Sequence, residues 1–487
     1  MSNPIETCRL APDLTITRVV TGLWQVADME KDGTPLDLDK AADHLDAYAA
    51  DGFSSFDMAD HYGSAELIAG RVLARHPGAS RPLAFTKWCP EPGPMTAEIV
   101  RAGVEERCRR LGVDTVDLLQ FHWWTFDHPA WLDALHEMKR LQEEGLIGAI
   151  GVTNFDAAHL ALALADGVPI VSNQVSFSLI DRRAEGPLAA LCAARGVKLL
   201  AYGTLCGGFL SERWLGKADP ETIGDWSGMK YRRFIEAAGG WDAYQGILRA
   251  ADAIARKHGV SVSNVATRWV LEHDFVGGVI IGVRLGERDH RADNHRLFAF
   301  ALDAEDHARL DEAFAATRPI PGDCGDEYRK PPFLTASGDL SHHLSAIPSV
   351  YSPGAMPERP ARSRVSSGSK WEPIAGYSRA VRVGNRILVS GTTATHGEDR
   401  VVAPGDAGAQ ATYALDKIIA AIRALGGAPE DVVRTRCYLT DPAEAEAVSR
   451  AHGAVFGDIR PANTLLAIGG LIGDYRVEIE AEAVVEG

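Results

Sequence analysis

No run in these 487 residues approaches 18 uninterrupted apolar positions, so the sequence offers no candidate for a membrane-crossing helix. The opening MSNPIETCRLAPD lacks the basic-then-apolar pattern of a secretory signal. Cysteines are few, at 8, 89, 108, 192, 206, 324 and 437, with no close pair. That spacing argues against a disulfide scaffold or a zinc site and fits reduced thiols. Basic residues are outnumbered, 50 against 66, leaving a formal charge of −16 that argues against a general nucleic-acid or anionic-membrane binder. The expectation is a cytoplasmic protein without nucleic-acid or membrane partners. A glycine-rich dinucleotide loop is missing too, since VVTGLWQVAD contains no G-x-G-x-x-G. His342 and His343 form a pair with no third ligand at suitable spacing, so they read as surface residues and no metal is expected.

What is present alternates. A chain of this length implies two or more domains. Over the first 310 residues, short apolar runs (ITRVVTG, GFSSFD, PLAFTK, VDLLQFH, IGAIGVT, PIVSNQ, VKLLAYG, GGVIIG) are separated by helical patterns at 39–50, 65–75, 96–111, 130–144, 156–165, 187–195, 242–271 and 303–315. Eight buried-looking strands separated by helices point to α/β architecture, a closed (β/α)8 TIM barrel over 1–317. An insertion at 211–241 holds Trp214, Trp226 and Trp241 after the seventh strand, where a barrel carries its catalytic mouth. It reads either as a lid or as a decorated surface loop. Residues 318–376 are rich in Pro, Gly and Ser and read as an extended tail and linker. From 377 to 487 the order β-β-α-β-α-β-β describes a compact α+β domain, with Glu478, Glu480 and Glu482 on the wet face of an edge strand.

The chemistry gathers at strand ends. Asp57, Lys87 and His122 end the second, third and fourth strands, and Tyr62 lies in the loop after the second. A lone His122 between Phe121 and Trp123 would read as a core histidine; four polar residues at corresponding strand ends change that reading. A tyrosine has a reference pKa of about 10 and needs help to give up its proton. Lys87 would stabilise the tyrosinate, Asp57 would hold Lys87 charged, and His122 would polarise a carbonyl. Such a set protonates an alkoxide and lacks only a hydride donor.

GFSSFDMADHYGSAE, the lysine after strand three and LLQFH resemble the Asp–Tyr–Lys–His tetrad of the aldo-keto reductase family. The resemblance implies reduction of an aldehyde or ketone as small-molecule substrate, with NADP(H) as cofactor or NAD(H) as the alternative. It assigns Thr153, Asn154 and Gln174 to the nicotinamide carboxamide, Tyr202 to its ring, and Gly203, Leu205 and Gly207 to the pyrophosphate. Gly282, Arg284, His290 and Asn294 match the adenosine end, where the segment is about two residues longer than common versions, so Arg288 competes with Arg284 for a 2'-phosphate. Trp24, His61, Trp88, Trp123 and Trp124 are candidates for the substrate rim.

VGNRILVSG and RPANTLLAIGGLIGDYRVEIEAEAV resemble the Rid (YjgF/UK114) family, a chorismate-mutase-like α+β fold of trimeric proteins. Its imine deaminases carry an arginine after the Pro-Ala pair, where this chain has Asn463, which cannot make a bidentate charged clamp. Glu478 matches the family's acidic position, and Tyr377, Ser390 and Gly391 complete a candidate pocket. The resemblance therefore implies an oligomerising or ligand-binding domain and a homotrimer. Two alternatives stand beside the reductase: a nicotinamide-nucleotide-sensing protein with little turnover, and a bifunctional reductase and imine deaminase.

Overall fold

The computed structural model describes residues 4–335, 348–356 and 358–486; His342 and His343 lie outside them. Eight parallel strands close a barrel in chain order: β1 (Val19–Gly22), β2 (Ser55–Asp57), β3 (Leu83–Trp88), β4 (Val116–His122), β5 (Ile147–Thr153), β6 (Ile170–Ser176), β7 (Lys198–Tyr202) and β8 (Val276–Gly282), which returns to β1. This is the (β/α)8 fold expected. The first apolar run is split at Arg18, whose guanidinium reaches the carbonyls of Leu271 and Val276 at 2.5 and 3.0 Å. Ile16 instead belongs to a hairpin, Thr7–Ala11 with Leu14–Thr17, and joins Leu10, Leu14, Phe85, Leu118 and Leu200 in a cluster inside the barrel. The long 242–271 pattern is two helices, Trp241–His258 and Val262–Leu271. Gly259 ends the first in a left-handed conformation (φ 67°) and Ser261 caps the second with a reciprocal Asn264 bond.

The segment expected to be linker contributes structure at both ends. A short helix, Asp326–Arg329, buries Asp326, Glu327 and Tyr328 against the barrel. Farther on, β9 (Gly354–Ala355) and β10 (Arg362–Val365) join the second sheet, in which β11 (Ala380–Val383), β12 (Arg386–Thr392), β13 (Val432–Leu439), β14 (Ala462–Ala467) and β15 (Val477–Val484) complete the order β9-β10-β11-β12-β15-β13-β14. The strand bearing Glu478, Glu480 and Glu482 is therefore interior, not an edge. Its outer glutamates pair with Arg436 (3.2 and 3.1 Å) and Arg386 (3.3 Å) on neighbouring strands.

One helix joins the halves. Ala407–Ala424 is buried along nearly its whole length, because it covers its own sheet and also packs on the barrel helix Ala157–Ala165. Ala394, Val402, Ala403, Ala409 and Tyr413 thereby share the barrel's apolar core. Around them, His396 meets Asp133 at 2.6 Å, Arg400 meets Asp166 at 2.8 Å, and His159 meets Asp416 at 3.1 Å.

Candidate active site

Strand alternation brings four proton-handling groups to the carboxyl end of the barrel. Residues two apart share a face, so Phe85 and Lys87, or Leu118, Gln120 and His122, point inward together. Lys87 Nζ donates to Asp57 Oδ2 at 2.6 Å and to the Met58 carbonyl at 2.9 Å, in a nearly buried ion pair. Asp57 Oδ1 accepts from Gln120 Nε2 (2.9 Å) and Gln174 Nε2 (2.7 Å). A buried ion pair needs its remaining lone pairs satisfied, and these amides do so. The Lys87 ammonium lies 4.8 Å from the centre of the Tyr62 ring. Tyr62 is half-buried, edge-on to Trp24 (5.0 Å) and to His61 (4.8 Å).

His122 is 4% exposed, and its Nε2 has no partner among the described residues. Burial holds its pKa well below the ordinary value, and the charges of Arg329, Lys230 and Lys87 push the same way. The ring is therefore neutral. Its Nδ1 lies 3.7 Å from Cys89 Sγ. Burial, reinforced by Asp60, pushes the Cys89 thiol well up, so its proton stays on sulfur. Donation of that proton to Nδ1 would leave the imidazole proton on Nε2, whereas donation to Asp60 would leave the sulfur to accept from Nδ1–H.

Asp57, Tyr62, Lys87 and His122 line one cavity of about 630 Å³ with Trp24, His61, Thr153, Asn154, Gln174, Tyr202, Gly203, Leu205, Gly207, Gly282, Arg284, His290 and Asn294. The three tryptophans Trp88, Trp123 and Trp124 do not line it. Trp88 faces the helix layer, where a Cβ on Gly103 would sit 2.5 Å from its ring. Trp123 packs on Phe121 at 5.7 Å, and Trp124 lies behind His122 at 4.4 Å. Trp226, from the insertion, lines the cavity in their place. Trp214 and Trp241 pack on each other at 5.9 Å, beside Phe209.

Gln174 uses both Nε2 protons inside the barrel, on Asp57 and on Gln120 Oε1 (2.7 Å). Asn154 has a positive φ of 57°, uncommon outside glycine. Its Oδ1 accepts from the Tyr202 hydroxyl at 2.8 Å and its carbonyl from Arg329 at 2.8 Å. Gly203 also has positive φ (71°), and a Cβ there would meet the Tyr231 hydroxyl at 2.3 Å. Arg284 forms an ion pair with Asp28, while Arg288 is an exposed residue of the cavity wall. Thr153 Oγ1, Thr204 Oγ1 and Gln25 Oε1 are buried without partners among the described residues. Such orphaned polar atoms along a long groove fit a polar cofactor. Asp60, His61 and Cys89 place donor atoms within 4.8 Å of one another, but Arg107 already stands 3.7 Å from Asp60 as the local cation.

Several residues here escaped the sequence reading: Cys89, Gln120, Asp28, Lys230, Tyr328 and Arg329. Cys89 and Gln120 carried a usable signal, lying two residues from Lys87 and His122 along the same inward-facing rows. The others come from the insertion, the tail and the short helix Trp24–Met29 after β1.

In the second domain, Glu478 lies against Gly391, where a Cβ would approach its Oε1 to 2.0 Å. Burial raises the Glu478 pKa, with Arg379 opposing. Ser390 donates to the Ser378 carbonyl at 2.8 Å nearby, and Tyr377 is exposed beneath Arg379 (5.8 Å). Asn463 does not join them. It lies on the helix-covered face of β14, donating to Thr435 Oγ1 at 2.9 Å, whereas Glu478 occupies the opposite face.

Comparison with known proteins finds two families in the chain. The model of the Aldo/keto reductase family matches residues 18–315, and that described as Endoribonuclease L-PSP matches 367–485. Flagellar radial spoke protein 5 of Chlamydomonas reinhardtii is 34% identical over 179 residues, 33% of this chain and 34% of that protein. The chain thus spans about a third of that relative's length. An uncharacterized protein of Streptomyces coelicolor is 42% identical over 119 residues, 24% of this chain and 87% of the relative. A solved glycerol dehydrogenase of Gluconobacter oxydans superposes with a TM-score of 0.55 at 26% identity, covering 65% of this chain and 97% of its own. No helix among the described residues is long and apolar enough to cross a membrane. The chain belongs to the aldo/keto reductase family, an oxidoreductase barrel to which a Rid-type domain of the L-PSP family is fused.

Proposed function

We propose that the barrel reduces an aldehyde or ketone to an alcohol, with Tyr62 as proton donor. The observation that carries this reading is the convergence of Tyr62, Lys87–Asp57 and the unpartnered His122 Nε2 on one cavity. Neutral His122 donates a hydrogen bond to the carbonyl oxygen. Tyr62 delivers its proton to that oxygen as negative charge develops, and the adjacent ammonium of Lys87 stabilises the tyrosinate left behind. Asp57, held by two amides, keeps Lys87 in place. A nicotinamide cofactor supplies the hydride when bound. Thr153, Asn154, Tyr202 and the Gly203–Gly207 turn would hold it. Purified protein should oxidise NADPH in the presence of a panel of carbonyls; binding without turnover across the panel would instead favour a nucleotide sensor.

NADP(H) preference rests on Arg284, which Asp28 already orients in the cavity wall. Arg284→Ala is expected to weaken NADPH binding about tenfold or more while changing NADH binding little, because only NADPH offers a 2'-phosphate to the guanidinium. Fluorescence titration with both cofactors measures this, and equal losses would move the contact to Arg288.

For the second domain we propose assembly into a homotrimer. Leu388, Val433 and Leu466 are 44, 47 and 51% exposed on its sheet, and the opposite face is covered by its own helices and the barrel. The barrel's four site residues come from one chain, so the three sites would act independently around this hub. Light scattering should give three times the chain mass; a monomer would defeat the proposal.

A further inference from the structure

Asn154 follows β5 with a positive φ of 57°, a conformation that only glycine adopts freely. Such a turn persists where its surroundings over-determine it. The barrel supplies two of the contacts: the Asn154 N–H donates to the Gln174 carbonyl at 2.9 Å, and Tyr202 donates to Asn154 Oδ1 at 2.8 Å. The tail supplies two more. Arg329 Nη1 donates to the Asn154 carbonyl at 2.8 Å, and a Cβ on Gly325 would meet that same oxygen at 2.1 Å.

The guanidinium also reaches the neighbouring strand. Its Nη2 donates to the Trp123 carbonyl at 2.9 Å, and its carbon lies 4.3 Å from the centre of the Phe126 ring. Trp123 directly follows His122, so one rigid fork ties the end of β4 to the turn after β5. Glu327, from the same tail helix, is buried 3.1 Å from the Tyr202 hydroxyl. Arg183 (2.9 Å) and the Gly325 N–H (2.8 Å) hold its other oxygen. Tail residues thus support Asn154 and Tyr202 from behind the cavity wall.

Resting on the reading of the barrel as a carbonyl reductase, we propose that Arg329 is a positioning residue for that reaction. It acts through Asn154 and Trp123, keeping the turn left-handed and at a fixed distance from His122. The nicotinamide end of the cofactor and the substrate carbonyl are thereby held in register. A misplacement of about 1 Å can cost about 10²-fold in rate, so the register matters. The residues that match the adenosine end, Gly282 to Asn294, stand outside this brace: among the described residues, Arg329 hydrogen-bonds only to Asn154 and Trp123.

2'-Phospho-ADP-ribose is NADPH without the nicotinamide, and the pair reads the two ends of the site apart. The full-length protein should bind NADPH more tightly than this fragment. Arg329→Met removes the fork, and a competent turn populated at about one-tenth lowers apparent affinity about tenfold. Calorimetry should show that loss for NADPH and a loss below about twofold for the fragment, which does not meet the turn. At saturating NADPH, kcat should fall roughly 10- to 100-fold with the carbonyl KM little changed. Arg329→Lys, able to reach one carbonyl, should fall between the native and methionine proteins, and it gives the same contrast if the methionine variant does not fold. Gly325→Ala, which drives a carbon at the Asn154 carbonyl, should reproduce the imbalance. Equal losses for NADPH and the fragment would make Arg329 a plain staple of the tail and overturn the proposal. Unchanged NADPH affinity and kcat would overturn it too, as would a native protein that binds both ligands alike. The expected imbalance without reduction of any carbonyl would leave the brace standing and sink the reductase reading alone.

Discussion

Tyr62→Phe is expected to lower carbonyl reduction by roughly 10²–10⁴-fold, the usual worth of a positioned general acid, while NADPH still binds. The substitution removes one hydroxyl and keeps the ring that packs on Trp24 and His61. Packing and cavity shape should therefore survive, and the loss should fall on kcat more than on KM. Lys87→Met should produce a comparable loss through a different route, since it also strands Asp57, which is 2% exposed and held by two amides. Breaking a buried pair from one side costs about 3–5 kcal/mol, so the lysine variant should also unfold more easily. The contrast between the two is the informative result. Single-turnover oxidation of NADPH and thermal unfolding would measure both quantities, and a Tyr62→Phe enzyme with near-native kcat would refute the proton-donor assignment.

The barrel was legible because its signals are local. Each strand reads as an apolar run and each helix as a period, and Asp57, Lys87 and His122 stand where such runs stop. The same local logic could have prevented the error over the rim tryptophans. Trp88 follows Lys87 directly, and neighbours on a strand face opposite sides, so an inward Lys87 requires an outward Trp88. Trp123 likewise follows His122 and packs on outward-facing Phe121. Lys230 and Tyr328 could not be read that way. They are 98 residues apart and meet only because an insertion and a tail fold over the same mouth. The β9 and β10 strands were hidden for another reason: Pro, Ser and Arg dominate their surroundings, and sheet pairing, not residue propensity, makes them strands. Asn463 shows a third limit. Its sequence position matches a family pocket, yet within one chain its side chain faces the helix layer, bonded to Thr435.

Docking of the two domains is expected to weaken as pH rises from neutral through about 9, and His159 carries that dependence. The imidazole lies between Asp156 (2.7 Å) of its own helix cap and Asp416 (3.1 Å) of the second domain, stacked on Phe126 at 3.6 Å. Burial alone would lower its pKa, but the carboxylates of Asp156 and then Asp416 raise it to about 9. The reciprocal effects differ: burial raises the Asp416 pKa against the pull of His159, whereas the pull of His159 overcomes burial at Asp156 and lowers its pKa. A histidine whose folded pKa exceeds its unfolded value of about 6.5 contributes fully below that unfolded value and loses its contribution as pH climbs through the folded one. Stability should therefore fall between about pH 7 and 10 in the native protein. His159→Leu should remove that part of the pH dependence and leave two carboxylates facing each other across the seam, at a cost of about 3–5 kcal/mol. Asp416→Asn should have a smaller effect, since Asp156 still pairs with the ring. Asp156 caps the helix that begins just after Asn154, so the seam is two residues from the positive-φ turn in the cavity wall. Loosening it should therefore raise protease sensitivity at the junction and weaken nicotinamide binding together. Urea unfolding and limited proteolysis of the native and His159→Leu proteins across this pH range would test the point, and identical pH profiles for the two would remove His159 from the role.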